Sequence, residues 1–137
     1  LRSLPQLLEA LPEAHILIDT LPATGETQGF ISSTVLDAMR SESIFVNIGR
    51  GNTVVEPALV NALRTRKIGG AVLDVYALEP LPADNPLWVL PNVIITQHTG
   101  GGFADEQKYK ISFFLKNLHR VLQNETPLNL VDLQKGY

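Results

Sequence analysis

Four uninterrupted apolar runs, each followed at once by structure-breaking or charged residues, constrain this chain more than any other feature. They are His15-Ile16-Leu17-Ile18-Asp19-Thr20, Ile44-Phe45-Val46-Asn47-Ile48, Ala71-Val72-Leu73-Asp74-Val75 and Val93-Ile94-Ile95-Thr96. A half-exposed strand alternates polar and apolar residues, whereas a strand apolar throughout is expected where both faces are covered. Segments of helical character separate the runs. Ser32-Ser33-Thr34 opens a helix through about Met39, and Leu59, Val60 and Leu63 recur at helical spacing between about Glu56 and Arg66. A short helix over Leu4 to Leu11, with Ser3 as its N-cap, precedes the first run. A long helix from about Phe103 to Gln123 follows the last, with an apolar stripe of Ile111, Phe114, Leu115, Leu118 and Leu122. Asp105 and Glu106 fall in its first turn, where the helix dipole favours negative charge. The tail Pro127-Leu128-Asn129-Leu130-Val131 reads as extended and apolar. Strands alternating with helices predict an α/β fold on a parallel sheet covered on both faces.

Composition narrows the function classes. The 137 residues suffice for one domain with a core, but they are few for an enzyme that binds a dinucleotide and a second substrate. Fourteen acidic residues against eleven basic ones give a net charge of −3, with 18% of residues charged. That balance argues against a disordered polyampholyte and against a general nucleic-acid binder, which carries a basic excess. The lack of cysteine removes a disulfide scaffold, a thiolate zinc site and a cysteine nucleophile. No apolar run approaches the roughly 18 residues of a membrane span, and Leu1-Arg2-Ser3-Leu4 lacks the apolar core of a signal peptide. The expectation is a soluble, cytoplasmic protein with neither nucleic-acid nor membrane partners.

Parallel sheets bind ligands at the carboxyl ends of their strands, so the residues just after each run carry the chemistry. They are Leu21-Pro22, Gly49-Arg50-Gly51, Asp74 to Glu79, and Gln97-His98. Arg50, Glu79 and His98 therefore converge on one edge. Arg50 is flanked by glycines that let the backbone approach a ligand, and its guanidinium either pairs bidentately with a carboxylate or phosphate or ties down its own loop. His98 precedes glycines and a helix start, a place suited to acid–base work or to capping that helix. Glu79 either orients an imidazole, fixing its tautomer, or is solvated on its proline-rich loop. Asp74, inside Val-Leu-Asp-Val, needs a partner, which is either backbone in a turn or a ligand amide. Gly100-Gly101-Gly102 offers an anion cradle at a helix N-terminus or a plain turn. The three histidines lack metal-ligand spacing, so no metal site is expected. Ser32 and Ser33 do not sit in a G-x-S-x-G elbow. No triphosphate loop is present, and Val54 stands where a third glycine would complete G-x-G-x-x-G after Gly49-Arg50-Gly51.

Taken in order, these motifs resemble the C-terminal half of the D-isomer-specific 2-hydroxyacid dehydrogenases. The resemblance runs from about Leu7 to about Val131. It rests on Leu21-Pro22-x-Thr24-x-Glu26-Thr27, Asn47-Ile48-Gly49-Arg50-Gly51, Leu73-Asp74-Val75-Tyr76-x-x-Glu79-Pro80-Leu81-Pro82, Pro91-Asn92-Val93-Ile94-Ile95-Thr96, and His98 before Gly100. Asn-Ile-Gly-Arg-Gly and the tail Val131-Asp132-Leu133 look closest to phosphoglycerate-dehydrogenase-like and glyoxylate/hydroxypyruvate-reductase-like members. The resemblance implies a catalytic trio of Arg50, Glu79 and His98, with Arg50 clamping a substrate carboxylate and His98, held by Glu79, exchanging a proton with the carbonyl oxygen. It implies NAD or NADP as cofactor and a 2-keto or 2-hydroxy acid as substrate. It also implies that Asp74 meets the nicotinamide carboxamide, and that Pro22, Ile48, Gly49, Arg50, His98, Gly100 and Gly101 line the cofactor's nicotinamide end. Gln97 departs from the family's usual proline, and Thr99 and Gly101 from its usual apolar or small residues.

The family's N-terminal substrate domain and its first β-α-β unit, with the glycine-rich turn, have no counterpart in these 137 residues. The expected fold class is thus a partial Rossmann-like sheet with flanking helices, lacking that unit. Residues 1–124 would form the C-terminal part of a dinucleotide-binding domain, and residues 125–137 a tail returning to the substrate domain. Such a piece would be inactive alone. An alternative is a non-enzymatic α/β interaction module, because a half-sheet leaves an open edge and an uncovered apolar face prone to self-association. A homo-oligomer is expected on either reading.

Overall fold

A computed structural model of the chain describes residues 4–134, so Ser3 and its expected capping role lie outside the described residues. Two compact units divide the chain, the first ending at Gly100 and the second beginning at Gly101.

The first unit is built on four parallel strands: β1 (Ile16–Asp19), β2 (Ile44–Asn47), β3 (Gly70–Leu73) and β4 (Val93–Ile95). Their spatial order is β1-β2-β3-β4, the order of the sequence. Helices α1 (Leu4–Ala10), α2 (Ser33–Ala38) and α3 (Glu56–Arg64) complete it. In α3, Pro57 occupies the first turn, where its missing N–H costs nothing, and Leu59, Ala62 and Leu63 are buried. The helix stops before Arg66, which takes a left-handed φ of 58°, while Lys67 N–H donates back to the Ala62 carbonyl at 2.8 Å.

Side chains alternate across a strand, so each face of the sheet has its own rows. Leu17, Phe45, Ala71 and Val93 pair in one row, and Asp19, Asn47, Leu73 and Ile95 follow in the next row on the same face. The apolar members of these rows pack with Val35, Leu36 and Met39 near α2 and with Leu59 and Leu63 of α3. This is the core, and Phe45, Leu36 and Ile68 within it are completely enclosed. Burying one such side chain contributes about 1.5–3 kcal/mol.

The opposite face corrects one expectation. Ile16, Ile18 and Ile94 are 57%, 55% and 61% exposed, so within this unit the sheet is covered on one face only, as expected of a half-sheet and not of one covered on both faces. The reason lies in the strand order. Crossovers between parallel strands are right-handed, and an order that never reverses sends every crossover helix to the same face. Apolar periodicity reports which residues avoid water; it does not say whether a second layer is present.

The second unit holds α4 (Glu106–Leu122) and the segment after it. The helix starts at Glu106, later than expected, so only Glu106 falls in its first turn and Asp105 precedes it; Asp105 pairs with Lys108 at 3.0 Å and Glu106 with Lys110 at 2.6 Å. Its apolar stripe is not buried: Ile111, Phe114, Leu115, Leu118 and Leu122 are 42–70% exposed. The tail does not form an extended strand. Asn129 takes a φ of 53°, and Leu128 exchanges two hydrogen bonds with the Asn117 side chain at 2.8 and 3.2 Å. Among the described residues no helix is long and apolar enough to cross a membrane.

Candidate active site

Backbone contacts that only glycine permits knit the carboxyl ends of the strands together. A Cβ on Gly49, after β2, would stand 2.8 Å from the backbone of Leu21, after β1. A Cβ on Gly51 would stand 1.8 Å from the Tyr76 carbonyl oxygen, after β3. The Gly49-Arg50-Gly51 turn is therefore wedged between its neighbours' loops, and Arg50 is carried on a fixed turn.

Buried polar side chains fix that turn. Asn47 accepts from Gly49 N–H at 3.0 Å and donates to the Arg50 carbonyl at 3.1 Å. The Thr53 hydroxyl lies between that same carbonyl, at 2.6 Å, and Asp19 Oδ2, at 2.5 Å. Asp19 Oδ1 accepts from Leu21 N–H at 2.9 Å, which sets the path leading to Pro22. None of these three is among the site residues expected from the sequence, although for Asp19 and Asn47 a signal exists: a polar side chain inside an apolar run must find a partner. Arg50 itself donates to the Gly49 carbonyl at 2.7 Å and has no carboxylate partner among the described residues.

Asp74 follows β3 directly and accepts three hydrogen bonds. Oδ1 takes the Thr96 hydroxyl at 2.5 Å and Thr99 N–H at 3.1 Å, and Oδ2 takes Gly100 N–H at 2.9 Å. The hydrogen bond from Thr96, then that from Gly100, hold its carboxyl below its ordinary value, so it is ionised at neutral pH. The Gly100 N–H is therefore engaged, and α4 begins only at Glu106, so Gly100 to Gly102 do not form an anion cradle at the helix N-terminus. Nothing lies within 4 Å of where a Cβ on Gly101 would stand.

The loop from Tyr76 to Glu79 is held at both ends. The Tyr76 hydroxyl donates between the Leu73 carbonyl, at 2.9 Å, and the Thr96 carbonyl, at 2.5 Å, joining the ends of β3 and β4. Burial pushes this phenol above its ordinary value, so it stays a donor. Glu79 Oε1 accepts from Tyr76 N–H at 3.0 Å, and Oε2 lies 2.8 Å from His98 Nδ1. From the start of α3, Glu56 accepts from Ala77 N–H and from the Asn85 side chain, bracing the same loop.

The hydrogen bond with His98, more than any other influence, holds the Glu79 carboxyl below its ordinary value. An ionised carboxylate can only accept, so His98 Nδ1 carries the hydrogen and Nε2 is the nitrogen left to gain or lose a proton. Among the described residues Nε2 has no hydrogen-bond partner. Both side chains remain partly open to solvent, and they line a cavity of about 620 Å³ together with Tyr76, Leu81, Trp88 and Gln97. A pocket of that volume, largely apolar with a few convergent polar groups, suits a small organic ligand.

Of the expected site residues, Glu79 and His98 form a bonded pair, and Asp74 bonds the loop that carries His98. Arg50 joins them electrostatically, its positive charge helping to lower Glu79. Pro22, Ile48 and Gly49 stand at the ends of β1 and β2, on the same edge of the sheet.

Residues 2–100 match the family model described as D-isomer specific 2-hydroxyacid dehydrogenase, NAD binding domain. The chain is 38% identical over 132 residues to glyoxylate/hydroxypyruvate reductase A of Klebsiella pneumoniae (strain 342), covering 96% of this chain and 42% of that protein. It is similar to the crystal structure of a D-isomer specific 2-hydroxyacid dehydrogenase from Xanthobacter autotrophicus Py2 in complex with NADPH and MES, with a TM-score of 0.89 at 35% identity over 98% of this chain and 55% of that one. It is also similar to an NADPH-dependent glyoxylate/hydroxypyruvate reductase from Sinorhizobium meliloti in complex with NADP and sulfate, with a TM-score of 0.89 at 26% identity, covering 99% of this chain and 44% of that one. The chain thus spans about two-fifths of the length of its curated relative.

Proposed function

The chain belongs to the D-isomer specific 2-hydroxyacid dehydrogenase family, and from this premise we propose that the full-length protein reduces a small 2-keto acid, glyoxylate or hydroxypyruvate, using NADPH or NADH. The observation that carries this reading is the 2.8 Å His98–Glu79 contact on the wall of a ligand-sized cavity. The residues present fit the nicotinamide end of such a cofactor. Asp74 accepts three hydrogen bonds of the roughly four a carboxylate can take, leaving one position on Oδ2 for a carboxamide N–H. Pro22, Ile48, Gly49, Gly100 and Gly101 would line the ring's surroundings. Residues 1–124 then act as the second half of a cofactor domain and residues 125–137 as a tail toward a substrate domain.

When bound, the reduced nicotinamide supplies a hydride to carbon 2 of the keto acid. This chain's residues handle the charge and the proton. Arg50 pairs its guanidinium with the substrate carboxylate, which a planar fork does better than a lysine. As the carbonyl electron pair moves onto oxygen, protonated His98 delivers its Nε2 proton there and becomes neutral. The reverse direction returns that proton to Nε2. Glu79 keeps Nδ1–H engaged throughout, so only Nε2 exchanges. Proton transfer of this kind contributes about 10²–10⁴ in rate.

The test is NADPH and NADH oxidation by the full-length protein with glyoxylate and with hydroxypyruvate. Turnover of either is expected, and no turnover with any 2-keto acid and either cofactor would overturn the reading. A second reading, self-association into a homo-oligomer, is supported by the exposed Ile16, Ile18 and Ile94 and by the edge strand β1. Sedimentation of a clean monomer at high concentration would refute it.

A further inference from the structure

His98 is one of four non-glycine residues with a left-handed backbone among the described residues, at φ 58°. Such a conformation is strained for a residue with a Cβ and persists where its surroundings over-determine it. Here the residues on both sides of His98 are tied to one carboxylate. Two positions before it, the Thr96 hydroxyl donates to Asp74 Oδ1, and the Thr96 carbonyl accepts from Tyr76. On the other side, Thr99 N–H and Gly100 N–H converge on the same Asp74 group. A Cβ on Gly100 would stand 2.9 Å from Asp74 Oδ2, so any larger residue there would have to push the carboxylate aside. Gln97 and His98 are the two residues spanned by the clasp, and the imidazole leaves it toward Glu79.

We propose that Thr96 is a positioning residue: by its hydroxyl bond to Asp74 it closes a clasp that holds His98 in the left-handed conformation and so aims the imidazole. Thr96 touches no reacting atom in this account; it acts through Asp74 and the backbone. The catalytic part of the proposal rests on His98 being the acid–base residue, whereas the conformational part does not. A hydrogen bond from a neutral hydroxyl to a buried carboxylate has an effect large enough to read, about 10- to 100-fold in an equilibrium.

Two variants of the full-length protein separate positioning from mere packing. Thr96→Val keeps the branched shape and removes the hydroxyl; Thr96→Ser keeps the hydroxyl. With glyoxylate and NADPH, Thr96→Val is expected to lower kcat about 10- to 100-fold with the cofactor KM within about threefold of wild type, and Thr96→Ser to restore most of the loss. Independently of turnover, the backbone ¹³C shifts of His98 report its left-handed conformation, and they are expected to move in Thr96→Val and not in Thr96→Ser. Unmoved His98 shifts in Thr96→Val would overturn the clasp even if the protein reduced no keto acid. A raised cofactor KM with unchanged kcat, or a Thr96→Ser variant as impaired as Thr96→Val, would also overturn it.

Discussion

The two halves of the sheet's carboxyl edge use the same kinds of residue to opposite ends. At β1 and β2, Asp19, Asn47 and Thr53 are almost wholly enclosed and bond one another or the turns beside them. At β3 and β4, Asp74 is nearly as buried, yet its bonds support a loop that ends in a partly exposed imidazole facing a cavity. A buried carboxylate at a sheet edge is therefore not by itself a sign of chemistry. What distinguishes the second half is a titratable nitrogen left without a partner on a scaffold where the neighbouring polar groups are engaged.

The two halves meet at Gly51, packed against the Tyr76 backbone. Gly51→Ala places a methyl group 1.8 Å from the Tyr76 carbonyl oxygen, and both neighbours are backbone that cannot rotate away. We expect a loss of about 3 kcal/mol or more in thermal or denaturant unfolding, with the turn and the Tyr76 loop forced apart. Wild-type stability would show that the two loops are not locked together.

A crossed pair of variants sharpens the contrast. Asp19→Ala leaves Leu21 N–H without its acceptor and is expected to cost about 1–3 kcal/mol of stability, with a lesser loss of turnover per folded molecule through the loosened Arg50 turn. Glu79→Gln should tilt the other way, costing less stability than turnover, because an amide no longer holds His98 Nδ1–H as an ionised carboxylate does. Equal effects of both variants on both properties would erase the distinction between the halves.

A smaller effect comes from acid. Glu79 and Asp74 are both held below their ordinary values of 4.5 and 3.8. A carboxylate depressed in the folded state stabilises fully above its unfolded value, and that contribution is lost as pH falls through the folded one. Stability should therefore hold from neutrality down to about pH 4.5 as far as these two groups are concerned, and decline below it. Hydrogen exchange at Thr99 and Gly100 should rise over the same acid range. Amide protection there that does not change below pH 4 would show that Asp74 is not what holds the loop.

The strands were legible in the sequence to within about two residues, because a continuous apolar run bounded by breakers leaves few other structures. Their parallel arrangement then puts Arg50, Asp74, Glu79 and His98 on one edge. The uncovered face was legible only from the missing first β-α-β unit, since Ile16 and Ile94 by themselves read the same whether or not a second layer packs on them. Asp19 and Asn47 are legible by the argument that applies to Asp74, a polar side chain inside an apolar run, whereas Thr53 lies outside the runs and has no such signature. The clasp around His98 was beyond reach. A left-handed histidine has no sequence signature, and the Thr96–Asp74 bond joins positions whose proximity depends on the register of β3 against β4.

Keto-acid reduction by this site turns on His98 Nε2 as the proton donor. Its most direct test is the turnover of His98→Gln in the full-length protein with glyoxylate or hydroxypyruvate and NADPH, beside a separate measurement of NADPH affinity. The predicted result is a fall in kcat of about 10²–10⁴ with the cofactor Kd essentially unchanged. Wild-type turnover in that variant would contradict it.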